Sequence, residues 1–321
     1  METNPVTSSI IREKLASTAV LSQYAEKVFR SNWKILSLIG ITPIIVILAI
    51  SIIANVFGLT VMGNISLAVL KIIVIVVEVS LVAAMIPAML NTLVKIDNGE
   101  TTSFKYGVQF KEGFKFFWPL LGLAGLQALI IVGASMIFII PGIILNVYLN
   151  QFMFARILDG KKGFSAFIES YSLVKGRWWT VLGRVIFLVL AVMGWSFVVN
   201  LSAVGVVYLF GAGSLVTTII RVAFEIVMVA CMYPVIFAYM YKLYHSLKET
   251  READIKTTNF KTFLVAFLVI GVFVVILVPI ASFLLPSDIR NGTRLERELG
   301  ATRGMGFGNG GSGFNSLMNI E

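Results

Sequence analysis

Long apolar stretches alternate with short polar ones along the 321 residues. A helix crossing the hydrocarbon of a bilayer needs about 20 mostly apolar residues, because each adds about 1.5 Å across roughly 30 Å. The stretches 33–57, 65–94, 118–139, 179–208, 214–241 and 260–285 meet that length. A further run, 142–157, is shorter and follows Pro141-Gly142, a pair that marks a tight turn between helices. It is expected to be a short span, with a re-entrant segment as the alternative. The pattern therefore predicts an all-α integral membrane protein with about seven transmembrane helices, arranged as three hairpins (33–94, 118–157 and 179–241) and a terminal helix (260–285).

A polar segment ending in aromatic residues precedes each hairpin. In 160–179, Phe164, Phe167, Ile168, Tyr171, Val174 and Trp178 recur at helical spacing, while Lys161, Lys162, Glu169, Lys175 and Arg177 are available to the wet side. That is the pattern of an amphipathic helix lying in a membrane surface, with Lys and Arg beside headgroups and Trp at the boundary. Helices of this kind are expected near 103–117 and 163–178, and residues 1–32 form an amphipathic segment ahead of the first hairpin. Trp33, Trp118, Lys175, Arg177, Trp178 and Trp179 are the expected interfacial anchors. The apolar faces either bind lipid or a partner, or they orient the hairpins by packing on them, and the second is the commoner use of such helices.

The first and third hairpins resemble each other. Residues 78–87 read EVSLVAAMIP and residues 225–234 read EIVMVACMYP, with five of ten positions identical. The hairpin openings, NWKILSLIG (32–40) and WWTVLGRVI (178–186), share a second, looser pattern in nearly the same register. A duplicated hairpin accounts for both. It carries four charges inside apolar runs, Lys71 and Glu78 in one copy and Arg221 and Glu225 in the other. A charge in hydrocarbon costs from about 3 to above 10 kcal/mol, so these side chains are expected to face the bundle interior and to pair. The reciprocal arrangement is Lys71 with Glu225 and Arg221 with Glu78. Such a cluster is a structural ion-pair set or a polar pathway, or else its side chains snorkel to the outer edge of the membrane. Pro87 and Pro234, nine residues after each glutamate, are expected to kink their helices.

Composition narrows the class further. Hydrophobic residues make up 58% of the chain and charged ones 13%, against roughly 25% charged in a soluble domain. The net charge of +9 reflects sidedness rather than a nucleic-acid surface. Twenty Lys and Arg flank alternate connections, and none lies in the turns near 58–64, 138–142 and 209–213. By the positive-inside rule the N-terminus is cytoplasmic and, after an odd number of spans, the C-terminus outside, in the cytoplasmic membrane. No cleaved leader is expected. Residues 246–259 are a charged cytoplasmic linker, and the Gly-rich tail 286–321 is expected to be disordered. One Cys and one His exclude disulfide frameworks and multi-Cys/His metal sites; neither a cofactor nor catalytic residues are expected.

The turn IPGIIL (140–145), the short helix after it, and SAFIESYSLVKGRWWTVLG (165–183) resemble a group of prokaryotic membrane proteins. The group carries the membrane domain associated with glycerophosphoryl diester phosphodiesterases and includes multi-span relatives without that enzyme. The likeness covers roughly 20–245 and rests mainly on Ser170, Lys175, Gly176, Arg177, Trp178 and Trp179. It implies a helical membrane module of hairpins and interfacial helices, with no chemistry of its own. A phosphodiesterase site needs several histidines, and His245 is the sole one here.

Two functions fit these observations. One is a non-enzymatic module that organises or binds membrane lipids, a membrane-protein partner or a second copy of itself. The other is a transporter of a small or amphiphilic substrate, whose path is lined by the four intramembrane charges.

Overall fold

The computed structural model describes residues 15–61, 64–100, 106–211, 214–251 and 258–284, without the side chains of 51–75, Glu78, Tyr106, Thr258, Val278 and 281–284. These residues form ten helices: α1 Thr18–Val61, α2 Asn64–Asp97, α3 Tyr106–Phe114, α4 Phe117–Ile137, α5 Ile139–Leu149, α6 Phe152–Leu158, α7 Phe164–Val174, α8 Trp178–Phe210, α9 Leu215–Glu249 and α10 Thr258–Leu284. Six contain stretches long and apolar enough to cross a membrane: α1, α2, α4, α8, α9 and α10. The protein is a multi-pass, all-α membrane protein. The tail 286–321 and residues 252–257 of the linker 246–259 lie outside the described residues.

The three hairpins and their lead-in helices are all present. Residues 18–31 form the first lead-in, continuous with α1 except for non-helical backbone at Asn32, immediately before Trp33. Leu21, Ala25 and Val28 lie along one face of this segment and are buried. Helix α3 is the second lead-in, and Lys115-Phe116 separates it from α4. Helix α7 is the third; it stops at Lys175, Gly176 turns with φ +80°, and α8 begins at Trp178. On α7, Phe167 and Val174 are fully buried, and Phe164, Ile168, Tyr171 and Trp178 pack partly against the same core. The apolar face of this lead-in is therefore turned onto the bundle rather than onto lipid.

The run 142–157 differs from the single short span expected of it. It is two helices, α5 and α6, of 11 and 7 residues, broken at Asn150-Gln151. The cause is Ser170 of α7, which is fully buried at the break. Its hydroxyl donates to the Tyr148 carbonyl at 2.6 Å, and its oxygen accepts the Gln151 N–H at 3.0 Å. One side chain from a neighbouring helix thus supplies bonds that a continuous helix would have made itself. Together α5 and α6 still bring the chain back to the end from which α4 set out, because Asp159 after α6 meets Lys248 near the end of α9.

Helix α9 is the hub of the bundle. It packs on α1, α2 and α8, and Tyr239, Leu243, Tyr244 and Leu247 near its C-terminal end are buried. The terminal helix α10 docks on α4 at a backbone-to-backbone crossing. A Cβ on Gly133 would meet the Phe267 carbonyl, and one on Gly271 would meet the Leu129 carbonyl. Small residues allow such an approach, and close packing is what holds helices together where lipid is as apolar as the side chains.

The duplicated prolines sit inside helices that continue through them, Pro87 in α2 and Pro234 in α9. A proline leaves the carbonyl four residues back without its helical donor. For Pro234 that carbonyl belongs to Ala230, and the Ser37 hydroxyl of α1 donates to it at 3.0 Å. Gly40, one turn further along α1, lies against the Pro234 ring. At Pro87 a different helix makes the approach: α3 brings Gly113 against the Ala84 carbonyl and the Ala88 nitrogen. The two copies have kept their prolines and changed what packs on them.

Candidate lipid-facing groove and its polar anchors

A cleft of about 790 Å³ opens between α5, α7 and the start of α10. Pro141, Ile144 and Leu145 of α5, with Phe260 and Phe263 of α10, make its apolar walls. Tyr148, Tyr171, Lys175 and Asn259 supply its polar groups. The walls hold one another through aromatic contacts. Tyr171 stacks on Phe260 with ring centroids 3.6 Å apart, and Tyr148 lies 4.9 Å from Tyr171. The Lys175 ammonium sits 5.6 Å from the Tyr171 ring centre, within cation–π range.

The segment 170–179 builds this cleft. Ser170 fixes the end of α5 through Tyr148, and Trp178 donates its indole N–H to the Ile144 carbonyl at 3.3 Å. Arg177 reaches across to the Thr250 hydroxyl and carbonyl after α9. Glu169 is engaged by Arg251 at 2.6 Å, so its charge is compensated outside the cleft. Among the described residues no carboxylate lines the cleft, and the one charged lining residue is Lys175.

Of the expected anchors, Lys175, Arg177 and Trp178 come together around this cleft. Trp33, Trp118 and Trp179 lie apart from it and are exposed, the last two by 75% and 79%. Two of the intramembrane charges, Arg221 and Glu225, do not face the bundle interior as expected. Arg221 and Glu225 pair with each other along one face of α9, Nε to Oε1 at 3.3 Å, and their side chains are 73% and 63% exposed. Neither faces the bundle interior. An i,i+4 pair on one helix compensates itself, so it needs no partner from another hairpin. The side chains of Lys71 and Glu78, and with them the reciprocal pairing, lie outside the described residues.

Two aspartates that the sequence reading passed over do more. Asp97 ends α2 and Asp159 follows α6, each with a glycine close behind in the left-handed region, Gly99 at φ +76° and Gly160 at φ +67°. A carboxylate at a helix C-terminus opposes the helix dipole, so it needs donors. Tyr24 and Tyr241 donate to the two oxygens of Asp97 at 2.8 and 3.2 Å. Tyr244 donates to Asp159 at 2.5 Å, and Lys248 completes an ion pair with it at 2.6 Å. Burial alone would push the Asp159 carboxyl up, but Lys248, Tyr244 and nearby Lys161 outweigh it and hold it below its ordinary value. The end of α9 is thus bonded to the ends of hairpins one and two. The signal available in sequence was an acid followed by glycine at a helix end, twice.

Arg184 is among the basic residues that flank the hairpin connections. It is nearly buried in α8, and its guanidinium donates to the carbonyls of Leu15 at 2.9 Å, Ala16 at 2.7 Å and Thr180 at 2.9 Å. The Ser246 hydroxyl accepts the Ala16 N–H at 2.9 Å, so the start of the described chain is tied to both helices of the third hairpin. Among the described residues no group of three His, Cys, Asp or Glu could hold a metal ion. No protein-family model, curated protein or solved structure matches the chain.

Proposed function

We propose that the protein is a non-enzymatic membrane module that binds a membrane lipid in the cleft between α5, α7 and α10. The observation that carries this reading is the cleft's composition: apolar and aromatic walls with a few polar groups and a single cation. Concave, largely apolar sites with a few placed polar groups are how proteins hold small amphiphiles. The segment 170–179, on which the resemblance to phosphodiesterase-associated membrane domains rests, supplies the cleft's supports. A module without its own chemistry is what that resemblance implies.

In this reading the basic-flanked end is cytoplasmic and the module sits in the cytoplasmic membrane. The N-terminus lies inside, and α10 carries the C-terminus outward. The interlocked polar end then lies at the cytoplasmic headgroups, where Lys175 meets lipid. The transport alternative loses support from Arg221 and Glu225, which face outward from the bundle.

Native mass spectrometry of gently extracted protein tests the proposal. The expected result is a phospholipid retained at one per chain. A water-soluble metabolite retained instead, and lost on Glu225→Gln, would overturn it in favour of transport.

A further inference from the structure

We infer that the outward face of α3 docks on anionic phospholipid headgroups of the leaflet beside it. The lead-in helices differ in where they turn their apolar residues. Helix α7 hides Phe167, Leu173 and Val174 in the bundle. Helix α3 packs on α2 and buries Gln109, Phe110 and Gly113. Its other side carries Val108 and Phe114, 42% and 48% exposed, and leads to the exposed Trp118 at the start of α4. Lys111 and Lys115 stand among them, both exposed. Steps of three and four residues put these side chains on one face. No residue lining the cleft lies on α3, so this surface is separate from the site proposed above.

The mixture on this face decides its occupant. Cytosol would leave Val108, Phe114 and Trp118 in water, and hydrocarbon would strip two ammonium groups of their solvation. The boundary layer suits both, with apolar side chains at the acyl edge and Lys beside phosphate. The charge is of one sign. Glu112 is the single acid of α3, and its carboxylate lies 4.0 Å from Lys95 of α2. Among the described residues neither Lys111 nor Lys115 has an ion-pair partner, Glu100 included. The stretch between Glu100 and α3, TTSFK (101–105), adds a lysine and no acid. A zwitterionic headgroup brings its own cation to these lysines, and a phosphatidylglycerol headgroup does not. Each Lys should favour the anionic lipid about fivefold, the equivalent of about 1 kcal/mol.

The test places the full chain in equimolar bilayers of phosphatidylglycerol and phosphatidylcholine, with one lipid or the other brominated near the glycerol. Bromine quenches tryptophan on contact, and the difference between wild type and Trp118→Phe isolates the Trp118 signal. Brominated phosphatidylglycerol is expected to quench Trp118 about fivefold more effectively than brominated phosphatidylcholine. Lys111→Gln with Lys115→Gln should bring the two lipids level at an unchanged unfolding midpoint, whereas Arg at both positions should keep the preference. Equal quenching by both lipids in wild type, or a preference that survives the double Gln change, overturns the inference. Absence of quenching by either lipid also overturns it, and would place a protein partner or a second copy on this face. Should Trp118→Phe not fold, native mass spectrometry decides: wild type should retain more phosphatidylglycerol than the double Gln chain, and equal retention overturns the inference.

Discussion

Near the basic-flanked end, α1, α2, α8 and α9 converge on one another, and the buried residues cluster there: Leu36 and Ile39 of α1, Met85 to Leu93 of α2, Tyr239 to Leu247 of α9. Toward the far end burial falls away along α8. Along α8, Leu190, Met193, Phe197, Leu201 and Val204 recur at helical spacing and are all exposed, and none of its most apolar stretch is buried. The first end is held by polar side chains that cross between helices: Arg184 to Leu15 and Ala16, Ser37 to Ala230, Tyr241 to Asp97 and Tyr244 to Asp159. The far end shows, among the described residues, polar bonds that stay within a helix or its own turn, such as Asn200 to Ser196 and Thr217 to Gly211. In lipid an apolar side chain gains little by leaving the hydrocarbon, so apolar surface alone does not draw helices together. Specific cohesion has to come from close packing and polar contacts, and the polar contacts between helices are concentrated at one end.

Breaking the polar end should cost most. Arg184→Met leaves the Leu15 and Ala16 carbonyls without their donor. Because bonds to charged groups contribute about 1.5–3 kcal/mol each, the loss should be about 3 kcal/mol, with the first lead-in helix becoming protease-sensitive. Urea or SDS titration with limited proteolysis checks this. Ser170→Ala removes the bonds at the α5–α6 break and should cost about 1–3 kcal/mol. The same measurement should show the loosening centred on the cleft, seen as faster hydrogen exchange around Tyr148 and Gln151.

Asp159 gives the comparison a pH signature. Its carboxyl is held below its ordinary value of 3.8, so it stabilises the fold above that value, and the stabilisation disappears as pH falls through the lowered folded value. Wild type should therefore lose stability on acidification from pH 5 toward roughly pH 3, and Asp159→Asn should flatten that part of the profile. A variant whose acid profile matches wild type would remove Asp159 from the account. The smallest effect belongs to the far half. Arg221→Leu with Glu225→Leu removes an exposed i,i+4 pair and should shift stability in micelles by less than about 0.5 kcal/mol. A large loss from this double change would show that the outward face of α9 is covered in the assembled protein.

Much of the architecture could be read from the chain. Helix starts at Phe117 and Trp178, and the break at Asn32 just before Trp33, fall within a residue of the aromatic boundaries that mark the hairpins. They do so because a bilayer demands uninterrupted apolar length and places Trp at its edge. The charges were less legible. Arg221 and Glu225 were expected to face the bundle interior, whereas they pair with each other on an exposed face of α9. Asp97 and Asp159 were overlooked because their donors lie 144 and 85 residues away, on a helix end that reads as apolar and aromatic.

Sequence by itself determined the solvent, the number of long spans, the lead-in helices and the sidedness of the basic residues. Each of these follows from local length, periodicity or charge count, which need no knowledge of neighbours. Tertiary structure decided that Ser170 splits the short return helix, that Ser37 covers the carbonyl freed by Pro234, that α10 rests on α4 through Gly133 and Gly271, and that Lys175 overlooks an apolar cleft. In each of these a polar or small side chain meets a backbone group or a surface from a distant part of the chain. Hydrophobic pattern in a membrane protein specifies that a helix lies in lipid, but not which of its faces another helix will meet.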